Sequence, residues 1–86
     1  MNLALTATPG FSGTAPFWVE LDGTTSTTTD PNDWIASFTL TTGDGASTQD
    51  GWIDHTYQSP GSYTVTLTAT DGYGTTQSIT RTVTVQ

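Results

Sequence analysis

Apolar and polar residues alternate with a period of two along most of this chain, the spacing of strands with one buried and one solvated face. In NLALTATP, residues 2–9, Leu3, Leu5 and Ala7 alternate with Ala4, Thr6 and Thr8, and Pro9-Gly10 predicts the end of that strand. APFWVELDG, residues 15–23, sets Phe17, Val19 and Leu21 on one face and Trp18, Glu20 and Asp22 on the other. The polar tract TTSTTTDPND that follows reads as a loop, because Asp-Pro and Asn-Asp favour turns. WIASFTLTT, residues 34–42, resumes the alternation with Ala36, Phe38 and Leu40 together. GDG at 43–45 is a turn whose glycines supply positive φ. WIDHTY, residues 52–57, is a short strand. In SYTVTLTAT, Tyr63, Val65, Leu67 and Ala69 fall on one face and Thr64, Thr66, Thr68 and Thr70 on the other. DGYG at 71–74 is a tight turn, and the last ten residues place Ile79, Val83 and Val85 in phase.

This pattern predicts an all-β, antiparallel immunoglobulin-like β-sandwich of about seven strands, formed by residues 1–86 as a single domain. Composition agrees: β-branched and aromatic residues abound, and there is no Lys and one Glu. With no cysteine, packing and ladder hydrogen bonds must hold the fold without disulfides or a zinc cluster. Eight carboxylates against Arg81 give a net charge of −7. Such a surface repels polyanions, which makes nucleic acid an improbable partner. No run approaches the ~18 apolar residues of a membrane span, so membrane insertion is not expected. The start MNLALTATPG lacks the basic and long apolar regions of a secretion signal. Two origins are therefore expected: a protein complete from Met1, or an excised domain with an added Met.

GTAPFWVELDG, GDG at 43–45 and above all HTYQSPGSYTVTLTATDGYG resemble the PKD domain, an immunoglobulin-like repeat common in microbial surface proteins. The resemblance runs from Leu3 to Val85. Its most specific part is His-x-Tyr followed by Pro-Gly-x-Tyr-x-Val-x-Leu and a closing Asp. One departure stands out. Family members usually carry Trp-Asp-Phe before Gly-Asp-Gly, where this chain has Leu40, Thr41 and Thr42. The lost Trp volume leads us to expect Trp34 or Trp52 in its place. The resemblance implies a structural place for His55 and, for some members, calcium near the loop at 30–33.

Candidate chemistry is weighed against these turns and strands. A hydrolytic reading takes His55 as base, Ser59 or Ser62 as nucleophile and Asp54 or Asp71 as the orienting group. Asp54 adjoins His55 on a strand, however, and so points to the opposite face, while the serines flank Pro60-Gly61 as ordinary turn residues. Asp30, Asn32 and Asp33 place three oxygen donors within four residues, a minor candidate for Ca²⁺. The same residues next to Pro31 also suit a turn, and no cofactor is otherwise expected. Asp44 between two glycines is read as a turn residue. No apolar pocket is evident to separate the pKa values of two carboxylates, as glycosidase chemistry would require.

Binding is the remaining expectation, with Trp18, Glu20 and Trp52 as the candidate interface. Trp18 is out of phase with the buried positions around it, which suits an outward anchor; Trp34 and Trp52 stand at strand starts, where capping the core is the alternative. Protein contact is favoured over glycan. The Thr ladders, nearly free of edge-blocking Lys, suit pairing with a partner's strand or with copies of this chain. The function expected first is a non-catalytic surface component docked to the protein surface of a larger assembly, such as a virion decoration. The alternative is an extracellular protein- or carbohydrate-binding accessory module of a secreted enzyme or surface-layer protein.

Overall fold

The computed structural model describes all 86 residues and contains eight strands and no helix. In chain order these are β1 (Thr6–Thr8), β2 (Ser12–Gly13), β3 (Phe17–Asp22), β4 (Ile35–Thr41), β5 (Ser47–Thr48), β6 (Trp52–Tyr57), β7 (Gly61–Asp71) and β8 (Thr76–Val85). They form two sheets, β1-β3-β6 and β2-β8-β7-β4-β5. All pairings are antiparallel except β2 with β8. The molecule measures 43 × 21 × 16 Å.

The period-two faces meet between the sheets. Phe17, Val19 and Leu21 of β3 and Tyr57 of β6 pack against Leu40 of β4, Val65 and Leu67 of β7, and Val83 and Val85 of β8. Leu5 joins this core although the ladder at β1 begins only at Thr6. Its neighbourhood is held by side-chain bonds instead: the Ala4 N–H donates to Ser26 Oγ, and the Ser26 hydroxyl donates to the Gly23 carbonyl.

Two local expectations are corrected. Ala36 does not share the buried face of Phe38 and Leu40, because a register irregularity between Ile35 and Ser37 shifts the phase and leaves Ala36 exposed. Neither Trp34 nor Trp52 fills space beside Leu40, since they are 58% and 48% exposed. Phe38, Tyr63 and Ile79 pack partly buried against the core. The Trp34 indole lies against Gly72, where a Cβ would come within 2.6 Å of it.

Open edges remain on both sheets. β6 bounds one sheet along its whole length. On β8, β2 pairs only with Thr84 and Val85, which leaves the outer edge from Thr76 to Val83 without a strand.

Candidate functional site

His55 lies on the inward phase of β6, opposite Val19. Its Nε2 is 2.7 Å from Asp44 Oδ2 in the turn between β4 and β5. The Thr42 hydroxyl donates to Oδ1 of the same carboxylate. Behind them the buried Tyr57 hydroxyl donates to the Thr42 carbonyl at 2.7 Å, and its ring meets the His55 edge at a centroid distance of 4.7 Å. Burial works against ionisation of Asp44, but the hydrogen bonds from Thr42 and His55 outweigh it, with electrostatic attraction to His55 adding to them. This carboxyl is therefore held below its ordinary value. Burial, and then the charges of Asp44 and Tyr63, push the Tyr57 phenol up to about 12.

These contacts fasten a turn to a strand. Ser59 lends only its backbone carbonyl, to the Tyr63 hydroxyl, and Ser62 sits on β7 opposite Thr84. Asp54 pairs with Glu20 on the outward face, and Asp71 accepts the N–H groups of Tyr73 and Thr75 in its own turn. The geometry thus gives His55 an acid partner, Asp44, that the serine-centred reading did not name. The signal is present in the sequence: GDG precedes HTY at a spacing that two neighbouring strand ends can bridge.

Asp30 and Asp33 are likewise engaged by backbone. Asp30 Oδ1 accepts the Asn32 N–H, and Asp33 Oδ1 accepts the N–H groups of Trp34 and Gly72. Asp71 is close by. Burial opposes its ionisation, but the Thr75 N–H, the Asp33 side chain, the Tyr73 N–H and the N-terminal ammonium together lower its pKa. No three His, Cys, Asp or Glu side chains converge in an arrangement that suits a metal ion.

The outer face of β1-β3-β6 gathers the candidate interface residues. Its register places Trp18 opposite Thr56, Glu20 opposite Asp54, and Asp22 opposite Trp52. Trp18 is 50% exposed, so the two tryptophans stand on one face at opposite ends, with carboxylates between them. Trp18 and Trp52 are four residues apart in register, about 13 Å along the strands. A second exposed aromatic pair, Trp34 and Tyr73, lies at one end of the sandwich, joined through the Gly72 N–H bond to the Trp34 carbonyl. No pocket opens on the surface.

A family profile described as PKD domain matches residues 6–86. Among solved structures, the PKD1 domain of Vibrio anguillarum Epp is 28% identical with a TM-score of 0.73; the match covers 99% of this chain and 89% of that one. The PKD1 domain of the Vibrio cholerae metalloprotease PrtV is 25% identical with a TM-score of 0.75, covering 98% and 94%. A structure of promiscuous carbohydrate-binding modules from the β-sandwich superfamily is 28% identical with a TM-score of 0.82. There the match covers 99% of this chain but only 34% of the other, so this chain spans about a third of that protein's length. No curated protein matches.

Proposed function

The chain belongs to the PKD domain family, and on that footing we propose that it is a non-catalytic, extracellular binding module, docking through the outer face of its three-stranded sheet. The observation that carries this reading is the pair Trp18 and Trp52, half-exposed on one face whose opposite side is the core. A large apolar ring in water is an unfavourable surface that a partner relieves by covering it, and Trp is the residue type most often found at the energetic centre of interfaces. The titratable groups of the interior are spent on structure: His55 and Tyr57 secure a turn, and Asp71 closes a hairpin.

The setting of its relatives supports an accessory role. Two are domains of named Vibrio proteins, one a metalloprotease, and the third comes from carbohydrate-binding modules. None of the three is named as a virion component, so decoration of a virion draws no support from them.

The test is retention on insoluble matrices, comparing chitin, cellulose and fibrous protein. The wild-type domain should be retained on at least one, and Trp18→Ala/Trp52→Ala should weaken that retention by about tenfold or more, whereas Trp34→Ala should not. Equal retention of the double variant, or no retention of wild type on any matrix together with no binding of a basic peptide, would reject the face. Recovery of the chain in many copies on purified particles from its native source would restore the virion reading.

A further inference from the structure

We infer that the partner covering this face is a cationic, extended polypeptide segment, Lys- or Arg-rich, laid along β3 and β6; the inference rests on the docking reading above. Glu20 and Asp54 are direct cross-strand partners at the middle of the face, and Asp22 is next along β3. Like charges placed directly opposite on neighbouring strands destabilise a sheet. Asp22 Oδ1 accepts the N–H and hydroxyl of Thr24, but no Lys or Arg stands beside Glu20 and Asp54. The one histidine, His55, is engaged with Asp44, and the only Arg or Lys, Arg81, lies in the other sheet and donates to the Thr80 carbonyl. A basic partner laid on this face would supply the countercharge that the chain lacks there.

The flanking indoles favour the same chemistry. A cation within about 6 Å of an indole centroid is attracted to its π face, and desolvation strengthens that attraction. An extended chain places alternate side chains about 6.8 Å apart. Side chains i, i+2 and i+4 of such a segment therefore fall in turn over Trp18, over the Glu20–Asp54 pair and over the Asp22–Trp52 row. Guanidinium groups stack on indoles and fork onto carboxylates, so an Arg-containing segment meets all three rows. A neutral glycan stacks on the indoles but leaves the carboxylates facing each other.

The experiment titrates the domain, by its tryptophan fluorescence, with three probes: an Arg-Thr-Arg-Thr-Arg peptide, a Glu-Thr-Glu-Thr-Glu peptide and a neutral N-acetylglucosamine oligomer. The basic peptide should bind, weakening as salt rises, and the other two should not. Glu20→Gln/Asp54→Asn should reduce its affinity by about tenfold or more, while Asp30→Asn, which removes a carboxylate elsewhere and keeps its turn bond, should leave it nearly unchanged. The Glu20→Gln/Asp54→Asn variant should also unfold at a higher temperature than wild type, a readout that needs no ligand. Equal losses in both variants would reduce the effect to net charge and overturn the proposal. Binding of the neutral glycan that is lost in Trp18→Ala/Trp52→Ala but kept in Glu20→Gln/Asp54→Asn would overturn it while leaving the docking face intact. No probe bound, with matrix retention also absent, would reject both.

Discussion

Nε2 of His55 lies 2.7 Å from Oδ2 of Asp44, and this contact ties the β4–β5 turn to β6 across 11 residues of sequence. The pair works with the Thr42 hydroxyl on Oδ1 and the Tyr57 hydroxyl on the Thr42 carbonyl, so the turn is held to β6 at two points, His55 and Tyr57. Its pH dependence follows from Asp44. A carboxyl whose folded pKa is depressed contributes stability above its unfolded value, here 3.8, and loses it as pH falls through the lower folded value. Asp44→Asn is expected to lower the thermal midpoint at neutral pH and to flatten the fall in stability below about pH 4. Because the pair is partly exposed, its contribution should stay under about 1 kcal/mol. Chemical denaturation from pH 2 to 7 checks both; an unchanged acid slope would assign the acid sensitivity to another carboxylate.

Tyr57 makes the opposite prediction at high pH. Its phenol ionises at 10.0 when unfolded but holds its proton to about 12 in the fold. Stability is therefore complete below pH 10 and declines as pH rises toward 12, by at most about 1.4 kcal/mol per pH unit. Tyr57→Phe should be less stable at pH 7 by roughly 1–3 kcal/mol, because the buried Thr42 carbonyl loses its side-chain donor. The same variant should show a shallower alkaline decline. Urea midpoints measured from pH 9 to 12 separate the two effects.

Much of this architecture is legible in the amino-acid pattern. Strict alternation in β3 and β7 determines which side chains are buried, because a strand has only two faces and one must meet the core. The His-x-Tyr and Gly-Asp-Gly motifs point to the family. Less legible is whatever depends on the third dimension. Asp44 reads as a turn residue until the sandwich brings it against His55, and Ala36 reads as buried until an irregular register shifts it. Trp52 illustrates the limit best. Its phase matches Asp54 on the outward side, but only the pairing with Asp22 puts it on the same face as Trp18.

The two glycines of the β4–β5 turn should differ in tolerance. Gly43 and Gly45 both have positive φ, +88° and +106°, so alanine is strained at either, at about 1–2 kcal/mol. At Gly43 a Cβ would also sit 2.5 Å from the Thr64 carbonyl oxygen, a backbone atom that cannot swing aside, whereas nothing lies within 4 Å at Gly45. Gly43→Ala should therefore cost clearly more stability than Gly45→Ala. Matched urea midpoints would refute the backbone clash.

Calcium provides a further check, since Asp30 and Asp33 already serve backbone N–H groups through Oδ1. The thermal midpoint is expected to move little between millimolar Ca²⁺ and chelator. A site saturated at about 100 times its dissociation constant would add about 2.7 kcal/mol, a rise of several degrees in so small a domain. Such a rise, removed by Asp30→Ala, would establish the metal site at Asp30, Asn32 and Asp33.

Arg81 bears on whether copies of this chain pair through their strand edges. It shares the inward phase of β8 with Ile79, Val83 and Val85 and stands opposite Val65, yet it is exposed, and no strand flanks that stretch of edge. An edge with free backbone donors and acceptors is a template for another strand, and a charge on its inner phase makes burial of that edge unfavourable. Threonines along the remainder of β8 favour the extended backbone and repel nothing, so the charge is the main barrier there. Arg81→Val removes it, adds a β-branched apolar side chain, and should drive self-association beyond that of wild type at high concentration. Light scattering across a dilution series, repeated for Arg81→Lys, checks the cause. The lysine variant should behave as wild type if charge is the guard, and self-association of both variants would show instead that the guanidinium's bond to the Thr80 carbonyl holds the edge closed.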